Sequence, residues 1–179
     1  MNITHHLLAE ARFSPSPNHD VRPAPGDMSL IVIHCISLPP HQFDGQGITQ
    51  LFTNTLDPAE HPYYEGIAHL RVSSHLLIRR TGEIVQYVPF NLRAWHAGIS
   101  SYQGRSVCND FSIGIELEGT DDSPYEDIQY RQLNAVIDTL LEAYPTLSRE
   151  RIVGHEDIAP GRKTDPGVCF DWGRMDITA

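Results

Sequence analysis

This chain is short of several things that would have announced its class. Lysine and arginine number 13 against 23 aspartates and glutamates, a formal charge of −10. A nucleic-acid backbone or an anionic membrane is therefore excluded as main partner, since both demand basic patches. No apolar run approaches the roughly 20 residues of a membrane span. Three cysteines, at 35, 108 and 169, are odd in number and far apart, which fits reduced thiols better than a disulfide framework. Residues 1–20 hold neither a basic segment leading an apolar run nor a small-residue cleavage site, so the expected location is the cytoplasm. Internal repeats and low-complexity segments are also missing. At 179 residues, 40% hydrophobic and 20% charged, the chain has the length of one domain that can bury a core without staples.

What is present is organised around Val153 to Cys169. That segment carries His155, Glu156, Asp157, Lys163, Asp165 and Cys169 among prolines and glycines that forbid a long helix. So many ligand-type groups in one loop are the composition of a site.

The remaining elements are read in order. Prolines at 15, 17, 23 and 25 predict an extended arm, residues 1–28, packed on the body. Residues 29–36 form a continuous β-branched run, the pattern of a strand buried on both faces, with His34 near its end. A short helix is expected at 48–52. Asp57 to Gly66 form a loop carrying His61, Pro62, Tyr63, Tyr64 and Glu65, suited to a cleft rim or to a plain surface. Residues 70–78 and 83–88 read as a hairpin, with His75 a core histidine and Arg71 an edge charge or a carboxylate anchor.

Trp95 and His96, flanked by alanines, can wall a pocket. Residues 111–119 alternate, with Phe111, Ile113, Ile115 and Leu117 on one face and Gly114, Glu116 and Glu118 on the other. Carboxylates on a buried strand are costly unless they meet a cation, a metal or water. Ser123-Pro124-Tyr125-Glu126 matches a capping box, and apolar residues at 133, 136, 137, 140, 141 and 144 predict an amphipathic helix over 124–144. That helix should cover one face of the sheet.

His34, His155 and Asp165 together make a three-ligand set of the kind that leaves a tetrahedral zinc position open. Spacing alone leaves Asp157 and Cys169 as rival third ligands.

The stretches Ile33-His34, His69 to His75, Gly82 to Val88, Ala94 to Gly98, Asn109 to Gly119, Gly154 to Pro160 and Arg162 to Gly167 together resemble the zinc-dependent N-acetylmuramoyl-L-alanine amidases. The likeness runs from about residue 13 to Trp172 and is strongest to the branch that acts on anhydromuropeptides in cytoplasmic cell-wall recycling. It implies a single α/β domain with a central mixed sheet flanked by helices, shared with peptidoglycan-recognition proteins. It further implies Zn²⁺ on His34, His155 and Asp165, Glu116 as proton acceptor, and Lys163 as stabiliser of the transition state. Cys169 drops to a packing role. Tyr63, Arg71 and Trp95 are the expected substrate contacts, with an anhydromuropeptide as substrate and a monomer as the working unit. Two positions depart from the pattern: Cys35 follows the first ligand where relatives commonly have asparagine, and Val107 stands where many have arginine. Arg105, expected as a substrate contact, or another residue replaces that guanidinium, or the peptide preference differs. A catalytically silent muropeptide-binding domain is the alternative function.

Overall fold

The computed structural model describes residues 1–175. Six strands form its main sheet: β1 (Arg12–Phe13), β2 (Leu30–Ile36), β3 (Leu76–Ile78), β4 (Ile84–Gln86), β5 (Ser112–Glu118) and β6 (Ile152–Gly154). Their order is β6-β2-β5-β3-β4-β1. All neighbours are parallel except the β3/β4 hairpin, so the sheet is mixed, as expected. The helices are α1 (Gly47–Phe52), α2 (Pro62–Glu65), α3 (Asp127–Ala143) and α4 (His155–Ile158).

β2 and β5 are buried along nearly their whole length because each face has its own cover. Ile31, Ile33, Ile113, Ile115 and Leu117 pack under Leu133, Val136, Ile137 and Leu140 of α3. The alternate residues point away, where Leu30 and Val32 meet Ala97, Phe111 and Ile158. His34 and Glu116 share the parity of this second set, and so face away from α3.

Three expectations need correction. The helix begins at Asp127, not 124, with Glu126 as N-cap in a capping box with Gln129. Gln129 decides the start: its Oε1 accepts the Glu126 N–H, and its Nε2 donates to the carbonyls of Ile78 and Glu118, tying the first turn to the sheet. The hairpin strands are shorter than 70–78 and 83–88, since regular pairing spans only Leu76–Ile78 against Ile84–Gln86. Finally, the arm is woven in as well as extended. Arg12–Phe13 adds to the sheet edge, and His19–Val21 pairs with Leu92–Ala94. Arg22 is its deepest anchor, 2% exposed, donating to the carbonyls of Phe90, Asn109, Asp110 and Ser112.

Candidate metal centre and its cleft

Register builds the site. Glu116 on β5 lies opposite His34 on β2. On the other side of β2, Gly154 lies opposite Ile33, so the next step of the chain sets His155 beside His34. Three neighbouring parallel strands thus deliver two imidazoles and a carboxylate at their C-terminal ends, where open parallel sheets place their ligands.

Asp165 is brought back to them by its loop. The Glu156 N–H donates to the Asp165 carbonyl at 2.9 Å, Tyr125 donates to the Pro166 carbonyl, and Thr164 donates to Asp121. Gly167, at φ +87°, packs so closely that an added Cβ would lie 2.2 Å from the Asp121 carbonyl oxygen. No side chain fits there.

The three groups converge on one point. Nδ1 of His34 and Nδ1 of His155 are 2.9 Å apart, and Oδ2 of Asp165 lies 3.1 Å from each. Bonds of 2.0–2.1 Å to a tetrahedral ion would set ligand atoms about 3.3 Å apart, so these donors fit a zinc-sized cation with shifts of a few tenths of an ångström. The rival side chains lie apart from this point. Asp157 is committed to capping α4, accepting the Gly154 N–H at 2.7 Å, and Cys169 lies outside the cluster as a free thiol.

The electrostatics suit metal binding. Burial holds the His34 imidazole down to about 4 against the opposing pull of Asp165, so the ring is neutral and its lone pair free. For Asp165, burial acts to raise the carboxyl, but its close contacts with His155 and His34 outweigh it and keep it ionised.

The two carboxylates of β5 separate here. Glu118 is satisfied by Arg79 at 3.2 Å and by the N–H groups of Asp44 and Arg80. Glu116, 7% exposed, makes no hydrogen bond or ion pair with the described residues. Burial, with Asp165 adding, pushes it up to about 8, while Lys163 pulls it down. Glu116, Lys163, Trp95, His96 and the three convergent groups line one cleft of about 250 Å³.

The other expected contacts sit elsewhere. Tyr63, on α2 and 46% exposed, borders a neighbouring depression with Cys35 and His41. Arg71 is exposed and donates to the carbonyls of Ala68, His69 and Leu70 in its own turn. Arg105 is bound to Asp27 at 2.5 Å and stacked on Phe111, so its guanidinium does not replace one at Val107. Sequence reasoning missed Asn109 and Arg162. Asn109 Oδ1 accepts the N–H groups of His96 and Ala97, and Arg162 donates to the Ala97 and Ile99 carbonyls. Neither contact has a local sequence signal.

Comparison with known proteins gives a consistent set of relatives. The sequence profile of the N-acetylmuramoyl-L-alanine amidase family matches residues 24–168. The chain is 64% identical to the 1,6-anhydro-N-acetylmuramyl-L-alanine amidase AmpD of Citrobacter freundii, over 94% of this chain and 89% of the relative. It is 59% identical to AmpD of Escherichia coli K12, over 95% of this chain and 92% of the relative. A crystal structure of a selenomethionine AmpD derivative superposes with a TM-score of 0.95 at 61% identity, covering 97% of each chain. The amidase AmiD of Escherichia coli, solved with the substrate anhydro-N-acetylmuramic acid-L-Ala-D-γ-Glu-L-Lys, gives a TM-score of 0.60 at 31% identity, over 87% of this chain and 58% of that one.

Proposed function

This chain belongs to the N-acetylmuramoyl-L-alanine amidase family, and from that premise we propose that it is a zinc hydrolase of muropeptide recycling. It cleaves the amide between the lactyl group of 1,6-anhydro-N-acetylmuramic acid and the L-alanine of the stem peptide. The observation that carries the reading is the convergence of His34, His155 and Asp165 within 3.1 Å of one another, beside a buried, unpaired Glu116.

Zinc held there supplies a Lewis acid for the scissile carbonyl and acidifies water toward a pKa of roughly 7. Glu116 takes the proton of the attacking water and returns it to the leaving amine of L-alanine. Its unpaired carboxylate at the cleft wall is free to do both. Lys163, on a flexible four-carbon stem and exposed at the cleft mouth, neutralises the oxyanion as it develops and favours the ionised form of Glu116. Trp95 walls the cleft for the sugar or the first peptide unit. Arg71, between the cleft-lining Leu70 and Val72, is the anchor for a stem carboxylate once it leaves its own turn. Tyr63 contacts substrate from the neighbouring depression. A cleft of about 250 Å³ is small for a muramyl peptide, since small-molecule pockets usually measure roughly 300–1,000 Å³. The stem therefore extends beyond it, and the depression of about 290 Å³ that shares Cys35 and Ile36 with the cleft offers the room.

The working unit is one amidase domain, arm included, acting as a monomer in the cytoplasm. Three free thiols support that compartment, and no helix among the described residues is long and apolar enough to cross a membrane. The test compares hydrolysis of anhydromuramyl tripeptide and of intact sacculi by the purified protein, with and without a chelator. Chelator-sensitive release of tripeptide from the anhydro substrate is expected. Preference for intact wall overturns the recycling role, and binding without cleavage identifies a silent muropeptide-binding domain.

A further inference from the structure

His34 and His155 both turn Nδ1 toward the ligand cluster, so with zinc on Nδ1 each neutral ring would carry its single proton on Nε2. Each of those protons needs an acceptor, and two consecutive residues provide them. Nε2–H of His155 donates to the Ala97 carbonyl at 3.1 Å. Nε2 of His34 lies 2.8 Å from Nδ1 of His96, which would accept that proton. Because His96 accepts at Nδ1, its own proton sits on Nε2, 3.0 Å from the Ser112 hydroxyl oxygen. The bonds therefore run in one direction, from His34 through His96 to Ser112.

This pair of acceptors is fixed from two sides. Asn109 Oδ1 accepts the backbone N–H of His96 at 3.1 Å and of Ala97 at 2.8 Å, so one amide clamps both residues. From the sheet side, β5 makes room for the His96 ring at Gly114, where an added Cβ would lie 2.6 Å from His96 Cγ and Nδ1. The ring then meets His34 edge-on, with centroids 4.9 Å apart and planes at 89°.

We propose that His96 is a positioning residue of the metal centre, accepting the His34 Nε2–H and so fixing the tautomer that presents Nδ1 of His34 to the metal. Asn109 keeps His96 and Ala97 in step with the two histidine ligands. The proposal rests on the zinc reading above. Acceptors behind a ligating imidazole orient the ring and raise its basicity, and losing one lowers metal affinity by about 10–100-fold.

The experiment measures zinc dissociation constants of the full chain by competition with a chelating indicator, for the wild type, His96→Leu and His96→Asn. Thermal midpoints of the metal-free forms are taken alongside. Asparagine restores an acceptor near the Nδ1 position, whereas leucine fills the space without one. The expected result is a loss of about 10–100-fold in affinity for His96→Leu and recovery of most of it by His96→Asn. Wild-type affinity in His96→Leu overturns the proposal, as does equal loss in both variants. Should His96→Leu not fold, long-range ¹H–¹⁵N spectra of the zinc-loaded wild type decide: an Nε2–H tautomer at His96 supports the proposal, and an Nδ1–H tautomer overturns it. A wild type that takes up no zinc overturns the metal reading and the proposal with it, whereas uptake indifferent to His96→Leu overturns the proposal alone.

Discussion

In the metal-free protein, Glu116→Gln removes a specific dependence of stability on pH. The Glu116 carboxyl is held at about 8 by burial, with Asp165 adding and Lys163 opposing, against 4.5 when exposed. Between those values the native chain binds a proton that the unfolded chain has released, so stability falls as pH rises, by about 1.4 kcal/mol per pH unit. Below pH 6.5 the decline is masked. His34 and His75 are held at about 4 and about 3 by burial, neutral when native and protonated when unfolded, so their contribution to stability grows as pH rises toward 6.5. From pH 6.5 to 8 the Glu116 contribution drops by roughly 1.5–2 kcal/mol, about 1 M in urea midpoint for a slope near 2 kcal/mol per M, while each buried histidine still offsets about 0.4 kcal/mol of it, so the drop is read as the difference between wild type and Glu116→Gln. The assay is urea unfolding in chelator at both pH values, followed by tryptophan fluorescence. Over that window wild type should lose that much stability relative to Glu116→Gln. Restoring zinc should shrink the wild-type decline, because a nearby cation favours the carboxylate. The same pH dependence in wild type and variant would refute the burial argument for Glu116.

Three further outcomes follow from the packing and the cleft. Lys163→Ala should lower kcat about 100- to 1,000-fold with zinc content unchanged, read by single-turnover assay and metal analysis; near-normal kcat removes Lys163 from the chemistry. Arg22→Met leaves the carbonyls of Phe90, Asn109, Asp110 and Ser112 without their buried donor, and should cost about 2–5 kcal/mol in urea unfolding. A loss under 1 kcal/mol would mean that the arm is only draped on the body. Leu133→Ala, fully buried between α3 and the sheet, should cost about 2–5 kcal/mol, measured the same way.

How far these features are legible in the sequence depends on whether their cause is local. The β2 and β5 runs and the apolar spacing of α3 are local patterns, and each produced the expected element. The start of α3 was misplaced because Ser123-Pro124-Tyr125-Glu126 satisfies the capping pattern, while the actual cap is chosen by Gln129 reaching sheet carbonyls from Ile78 and Glu118. Glu116 and Glu118 look equivalent along the strand; only the fold gives Glu118 its Arg79 and leaves Glu116 facing the cleft. Asp165 could not be chosen over Asp157 from spacing, since the choice rests on a loop that returns to pair with Glu156. Arg105 failed for the same reason, its partner Asp27 being 78 residues away.

The central claim is that hydrolysis depends on one zinc ion held by His34, His155 and Asp165. The most direct measurement adds zinc stepwise to the metal-free protein and follows bound metal and release of tripeptide from anhydromuramyl tripeptide in the same samples. Activity should rise in proportion to bound zinc, saturate at one ion per chain, and be absent in Asp165→Ala at equal total zinc. Full hydrolysis by the metal-free protein, or an active Asp165→Ala without bound metal, would contradict it.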